Sequence, residues 1–380
     1  MNIRNMRTIA FALIVFTSSF VVSQETRVHV SQRVPVTKPT MELSAERATP
    51  VRVSTIAPGT RTQNTWNLLA TLPGTVIHDI TFTSATTGYA AAELGQVWKT
   101  TDGGKTWKEV LAAGDTYYFY GVTASGNDVI VSGFYDSSSV YGVIYTSTNG
   151  GQSWSSPAQI TTGWAQRVRY ANAKDGLILD LIGGSSGNWA QYTTTGGATG
   201  SDWTTVVDNS DGGWFGLQFS LLSNLHARAS GVNFCSSPDG GQQWSCGASV
   251  DSVFDGPVLF LNDTYGWVGG GEISPNVEGW VHVTTDGGQT WSGRTLDGPW
   301  PIRQFLFLTK NYGWATGGNL YTGVGGMYLT TDGGQTWTVD STTNAEMDAC
   351  SAHKVTGGAQ VWCAGYNGSL TGVIYSTVVK

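Results

Sequence analysis

This chain is poor in charge, and poorest in arginine. Only 12% of its 380 residues are Asp, Glu, Lys or Arg, and from 65 to 380 the arginines are Arg167, Arg169, Arg228, Arg294 and Arg303. Over that span 12 basic residues stand against 24 acidic ones, a net of −12. Phosphate binding needs a concentration of Lys and Arg that is missing, so no nucleic-acid partner is expected. Cysteine is scarce as well: four residues without a Cys-x-x-Cys knuckle or an accompanying histidine, which speaks against a zinc site and leaves the metal tally at none. No long segment carries a 3.6-residue apolar period, which leaves helix little room. The apolar run IAFALIVF (9–16) is too short to span a bilayer, so no stable membrane insertion is expected.

Glycine and tryptophan are abundant, 51 and 16 residues, and they recur together. TTDGGQTW occurs at 284–291 and at 330–337, TTDGGKTW at 100–107, and variants end at Trp154, Trp203 and Trp244. Successive tryptophans from Trp107 to Trp337 are 47, 49, 41, 47 and 46 residues apart, a period that belongs to propeller blades and similar arrays. Within each period FTSATTGY (82–89), FLNDTYGW (260–267) or FLTKNYGW (307–314) marks two short strands joined by a turn. Four strands per repeat predict an all-β chain of radially packed sheets.

The two ends are complementary. GVIYSTVVK (372–380) is a third strand without its box, and NTWNLLATLPG (64–74) is a Thr-Trp and fourth strand with nothing before it. Pairing them predicts a seven-bladed β-propeller whose ring is closed by its N- and C-terminal strands, hiding both from edge pairing. Trp66 then precedes Trp107 by 41 residues, within the same range.

The repeated Ser/Thr-x-Asp-x-Gly-x-Thr-Trp string resembles the Asp box, or BNR repeat, of sialidases, some endoglucanases, sortilin-type receptors and the photosystem II stability and assembly factor family. A single seven-bladed ring with Gly-Trp or Gly-Tyr halves looks most like the last of these, over residues 65–380. That resemblance implies an assembly or chaperone role without chemistry.

The box itself reads as scaffold. It lies between two strands, where Asp102, Asn149, Asp239, Asp286 and Asp332 accept hydrogen bonds from the turn's own amides, and glycines such as Gly104, Gly288 and Gly334 permit positive φ. The tryptophan returns to fill space between blades. Every Gly-rich stretch belongs to such a turn, so no phosphate loop or nucleophile elbow remains.

Around the repeats, Arg4 and Arg7 before the apolar run, with a cut after Ser23, predict a signal peptide at 1–23 and export or a periplasmic location. Residues 24–64, basic and without period, read as a disordered linker or pro-segment. In an exported chain Cys235 with Cys246 and Cys350 with Cys363 are expected to form two disulfides. Asn262 and Asn367 match the N-glycosylation pattern.

Seven inner strands converge on a channel, and aligning the repeats there brings forward His78, Asp79, Tyr120, Arg167, Phe215, Arg303 and Asp348. Tyr117, Tyr118, Trp214 and Trp300 add aromatics near one mouth. Aromatics beside a few charges suit a protein segment or a glycan; ordinary packing between blades is the plain alternative. A sialidase would need an arginine cluster and an Arg-Ile-Pro first-blade signature, both missing. Another glycoside hydrolase would need facing carboxylates from Asp79, Asp255, Asp348 or Glu346. The expectation is therefore an exported, monomeric binding module for a protein or glycan, without cofactor or chemistry; the alternative is a secreted glycoside hydrolase.

Overall fold

In the computed structural model, residues 64–161, 164–181, 189–207, 218–231, 234–247, 256–272, 278–296, 300–319 and 322–380 are described. The expected signal peptide, the linker up to residue 63, Trp214, Phe215, Asp255 and Pro299 lie outside them.

Seven four-stranded antiparallel sheets account for the strands among the described residues. The first blade runs Ile77–Phe82, Gly88–Ala92, Gln96–Thr100 and Lys108–Ala112 in spatial order. The next five repeat it, starting from Tyr117–Ser125, Trp164–Tyr170, Phe219–Leu221, Val258–Phe260 and Ile302–Phe307. These first strands pack on one another from blade to blade, so they are the inner strands. The seventh blade is composite: Glu346–Val355, Gly358–Tyr366 and Thr371–Val379 are completed by Asn67–Pro73 from the other end of the chain. Asn67 lies opposite Ser376 and Pro73 opposite Thr371, which is the ring closure expected from the two half-repeats.

A latch sits beside that closure. Asp340, 3% exposed, accepts at 2.9 Å from both the backbone N–H and the side-chain amide of Asn64, at 2.7 Å from the Trp66 indole and at 2.9 Å from the Trp314 indole. One carboxylate thus ties the segment entering the closing strand to the sixth blade.

Blades meet through aromatics. Trp267 stacks on Phe307 of the next blade at 3.8 Å and donates its indole N–H to the Gly333 carbonyl of that blade's box. Trp362 does the same to Phe82 and Gly103 across the closed seam, at 3.6 Å. The space between these blades is therefore filled by the second-strand tryptophan. The box tryptophan shares that role, as expected: Trp107, Trp154, Trp203, Trp244, Trp291 and Trp337 each pack in a cluster that joins their own blade to the preceding one, with Trp107 edge-on to Phe82 and Trp337 to Phe307.

The boxes are turns held by their own side chains. In the first blade, Thr100 Oγ1 donates to Asp102 and accepts from Gly104 N–H, while Asp102 accepts from both the amide and the hydroxyl of Thr106. Gly103 and Gly104 have φ of 80° and 92°, a region where a Cβ is strained. Asp286 and Asp332 repeat the pattern, Asp239 keeps the Gln243 amide, and Asn149 keeps the geometry without the charge. Hydrogen bonds from the Thr290 hydroxyl and amide hold Asp286 at about 2, and those from Thr106 do the same for Asp102. A carboxylate depressed on folding contributes stability above its unfolded value and loses it as pH falls through the folded one. Asp286→Asn is therefore expected to lower the melting temperature at pH 7, with the gap to the native chain closing as pH is taken from 4 to 2; a gap that stays constant would mean the charge plays no part.

Cys235 pairs with Cys246 across the third and fourth strands of the fourth blade, and Cys350 with Cys363 across the first two strands of the seventh. Asn262 and Asn367 each accept from backbone amides of their own turns. Among the described residues no helix is long and apolar enough to cross a membrane.

Candidate functional site

Strand direction divides the two faces of the ring. Each box joins a third to a fourth strand, so it lies at the end where the inner strand finishes. The opposite face carries the starts of the inner strands and the hairpins between second and third strands, and on it the sequence-aligned channel residues gather.

A local device brings them there. In five blades the inner strand carries one extra residue against its neighbour: His78, Tyr120, the Gln166-Arg167 pair, Arg303 and Asp348 each sit in a break of register. A β-bulge frees its residue from the ladder and re-aims the side chain. In the second, sixth and seventh blades a glycine faces the break, Gly133, Gly317 or Gly365, where a methyl group would stand 2.0, 2.1 or 1.8 Å from an inner-strand carbonyl.

The bulged residues form one charged network. His78 lies between Asp348, 3.2 Å from Nδ1, and Glu93, 3.3 Å from Nε2. Its ring stacks on Tyr120 at 4.1 Å and meets Tyr366 edge-on. Arg167 reaches across the channel, donating from Nη2 to the carbonyls of His78 and Asp348 at 2.9 and 2.7 Å, so the third blade is bound to the first and seventh. Arg303 Nε lies 2.5 Å from Glu346 Oε1, out of line for a straight hydrogen bond, and Tyr366 donates to the other Glu346 oxygen.

Burial and charge set the protonation states. Burial works against the His78 imidazolium, but hydrogen bonds and charge from Asp348 and Glu93 outweigh it and raise the group to about 9. Burial pushes Glu346 up to about 7, Arg303 pulls the other way, and Asp348 adds to the rise. Arg303 is itself held above its usual range by Glu346 despite its burial. The two shifts pull against each other; since a guanidinium keeps its proton throughout the accessible range, the carboxyl is the member that titrates. Both upward shifts mean that the folded chain binds protons the unfolded chain has released, so stability falls with rising pH: between 4.5 and 7 from Glu346, and between 6.5 and 9 from His78. Melting temperature is expected to decline from pH 5 to pH 9.5, and His78→Gln to flatten the part above pH 7; an unchanged slope there would assign it to other groups.

Asp79 departs from the expectation of a channel-lining residue. It is fully buried and all its bonds are spent: Arg169 donates to both oxygens at 2.8 and 3.2 Å, and the Val122 and Ile80 amides donate at 3.0 and 3.1 Å. It locks the inner strands of the first three blades. Trp300, expected near the mouth, is likewise a core residue, 3% exposed against Tyr328. Phe215 lies outside the described residues.

The aromatics at this face form a stack that crosses blade boundaries. Tyr120, Tyr118 and Trp164 lie near-parallel to Phe134 at 5.7, 5.1 and 5.3 Å, extending the His78–Tyr120 pair into the third blade. Beside it Tyr117, Tyr135 and Tyr141 form a second, partly exposed row. Glu93, Arg169, Tyr366, Phe134 and Trp164 were not singled out by sequence. Arg169, two residues from Arg167 on one strand, was the legible one.

Four channel carboxylates are thus engaged: Asp79 by Arg169, Glu346 by Arg303, and Asp348 and Glu93 by His78. Among the described residues no group of three or more His, Cys, Asp or Glu side chains is placed to hold a metal. The other half of the channel keeps a cavity of ≈ 70 Å³ bounded by residues of the third to sixth blades, far below the ~300 Å³ or more of a metabolite site.

The family described as BNR/Asp-box repeat matches residues 328–339, the box of the sixth blade. Among solved structures, the one titled "YCF48 bound to D1 peptide" is 17% identical with a TM-score of 0.59, covering 86% of this chain and 100% of that one. YCF48 from Cyanidioschyzon merolae is 21% identical with a TM-score of 0.58, over 82% of this chain and 98% of that one. The WD40 repeats of RRP9 share the ring at 9% identity, TM-score 0.61, over 84% of this chain and 99% of that one. No curated protein matches the chain in sequence.

Proposed function

We propose that this Asp-box propeller is a non-catalytic binding module whose mouth, on the face opposite the boxes, receives an extended segment of a partner protein. The observation that carries this reading is the partly exposed pair Tyr118 and Trp164, stacked on the buried Phe134, with the row Tyr117, Tyr135 and Tyr141 beside it, next to a charged network whose carboxylates are already engaged. Aromatic surface with few conformations to freeze is what recognition of a peptide draws on. A similar propeller is titled as bound to a peptide, which supports a peptide here by analogy of fold.

The engaged carboxylates weigh against the glycoside hydrolase. Such an enzyme needs one carboxyl free to protonate a leaving group and a second free to attack or activate water, whereas Asp79 has no room for a substrate and Glu346 is held by Arg303. The net charge of −12 over 65–380 weighs against nucleic acid. The reading includes export: the N-terminal pattern and two cystines both suit an oxidising compartment, and the N-terminus of the mature chain, read by mass spectrometry, checks it.

Panning the full chain against a displayed peptide library, with a glycan array in parallel, tests the function. Selected peptides should lose at least about tenfold in affinity, ~1.4 kcal/mol, on Tyr118→Ser or Tyr141→Ser. Peptides unaffected by either change would move the site elsewhere. Retained glycans would replace the peptide by a sugar, and cleaved glycans would restore the hydrolase.

A further inference from the structure

The channel arginines differ in one respect. Arg169 has Asp79 and Arg303 has Glu346, but Arg167 has no carboxylate within ion-pair distance among the described residues. It is 9% exposed. Its Nη2 is spent on two carbonyls, and its Nη1 is buried without a hydrogen-bond partner.

A buried guanidinium that touches no carboxylate and leaves an N–H unpaired is poorly compensated, and Asp79 and Asp348 act on this one only from further off. A carbonyl or a water satisfies an N–H but leaves the charge. The cavity of ≈ 70 Å³ lies against this group, lined by Arg167, Arg169, Gln218, Gln304 and the apolar Phe219, Val258, Leu259 and Phe305. By the rule that one water needs roughly 10–15 Å³ of such volume, it holds a handful of small species and no metabolite. The two amides are pre-set to donate: Gln304 has its oxygen occupied by the Cys350 N–H, which leaves its NH₂, and Gln218 uses one N–H on the Arg303 carbonyl and keeps another.

We propose that this cavity is a binding site for a small, compact inorganic anion of halide or nitrate size, held by Arg167 Nη1 and the amide N–H groups of Gln304 and Gln218. The anion supplies a negative charge in contact with Arg167, on which Asp79 and Asp348 act only from beyond ion-pair distance. Because Arg167 already holds the first and seventh blades by their carbonyls, and Gln218 and Gln304 belong to the fourth and sixth, the ion joins inner strands from five of the seven blades. It is a clip for the ring, distinct from the docking of a partner at the mouth, and failure of the peptide-binding reading leaves it untouched.

The test uses the full chain. The chloride NMR line width should exceed that of buffer, fall back when nitrate is added, and melting temperature should rise with chloride at ionic strength held constant with gluconate. Arg167→Gln should abolish both responses. Should that variant fail to fold, Val258→Leu, which adds carbon to the cavity and keeps every charge, decides: loss of the excess line width supports the site, and its survival refutes it. Line widths equal in native chain and Arg167→Gln, or a melting temperature that follows ionic strength alone, would overturn the proposal and leave water in the cavity.

Discussion

Asp79→Ala should lower the melting temperature by on the order of 10 °C. The carboxylate is fully buried and receives four hydrogen bonds, two of them from the Arg169 guanidinium. Its loss strands a guanidinium and the Val122 amide inside the ring. Removing one partner of a buried ion pair costs about 3–5 kcal/mol, and a domain of this size loses roughly 2–4 °C per kcal/mol. Arg169 is 30% exposed at its side chain and can turn toward water, which keeps the expectation near the lower bound. Thermal unfolding at pH 7 checks it. Asp79→Asn separates charge from packing: it fits the space and keeps one acceptor, so a loss as large as alanine's would assign the whole effect to the charge. A drop of only a degree or two in both variants would show that the first three blades are held by apolar packing alone.

The second large effect is expected at Asp340→Ala, and it should be local before it is global. Four donors from three residues lose their acceptor at once, two of them indoles on either side of the seam. Hydrogen bonds to a charged acceptor contribute roughly 1.5–3 kcal/mol each, and because Asn64 and Trp66 sit near the surface, a total of about 3–5 kcal/mol is expected. Hydrogen exchange separates this from ordinary destabilisation: amides of Asn67–Pro73 and its neighbour Thr371–Val379 should exchange faster than those of the third blade. Uniform acceleration across the ring would show that the closing strand opens only when everything does.

The architecture was legible in the sequence because each blade states it independently. Six boxes at near-constant spacing fix the number of repeats, and the half-repeats at Trp66 and Ser376 fix how the ring shuts. Both signals are local and repeated. The site was legible only in outline. Alignment found His78, Tyr120, Arg167, Arg303 and Asp348, since each belongs to the pair of adjacent positions it marks in every repeat. It also placed Asp79 beside them, although one residue further along the strand is the difference between a mouth and a core. The bonds that decide this join residues 90, 181 and 270 positions apart, Arg169 to Asp79, Arg167 to Asp348 and His78 to Asp348, and no local pattern records such pairs. Trp300 misled for a related reason: an aromatic next to a proline reads alike whether it faces solvent or the Tyr328 ring.

The bulges have an evolutionary side. A residue that participates in the ladder is constrained twice, by its side chain's neighbours and by the register it helps to keep. His78, Tyr120, Arg303 and Asp348 lie in breaks of that register, so their chemistry can change while the strand pairing beside them stays as it is. A ring built this way can exchange one partner for another by drift at a few positions, and relatives with the same blades need not share a ligand.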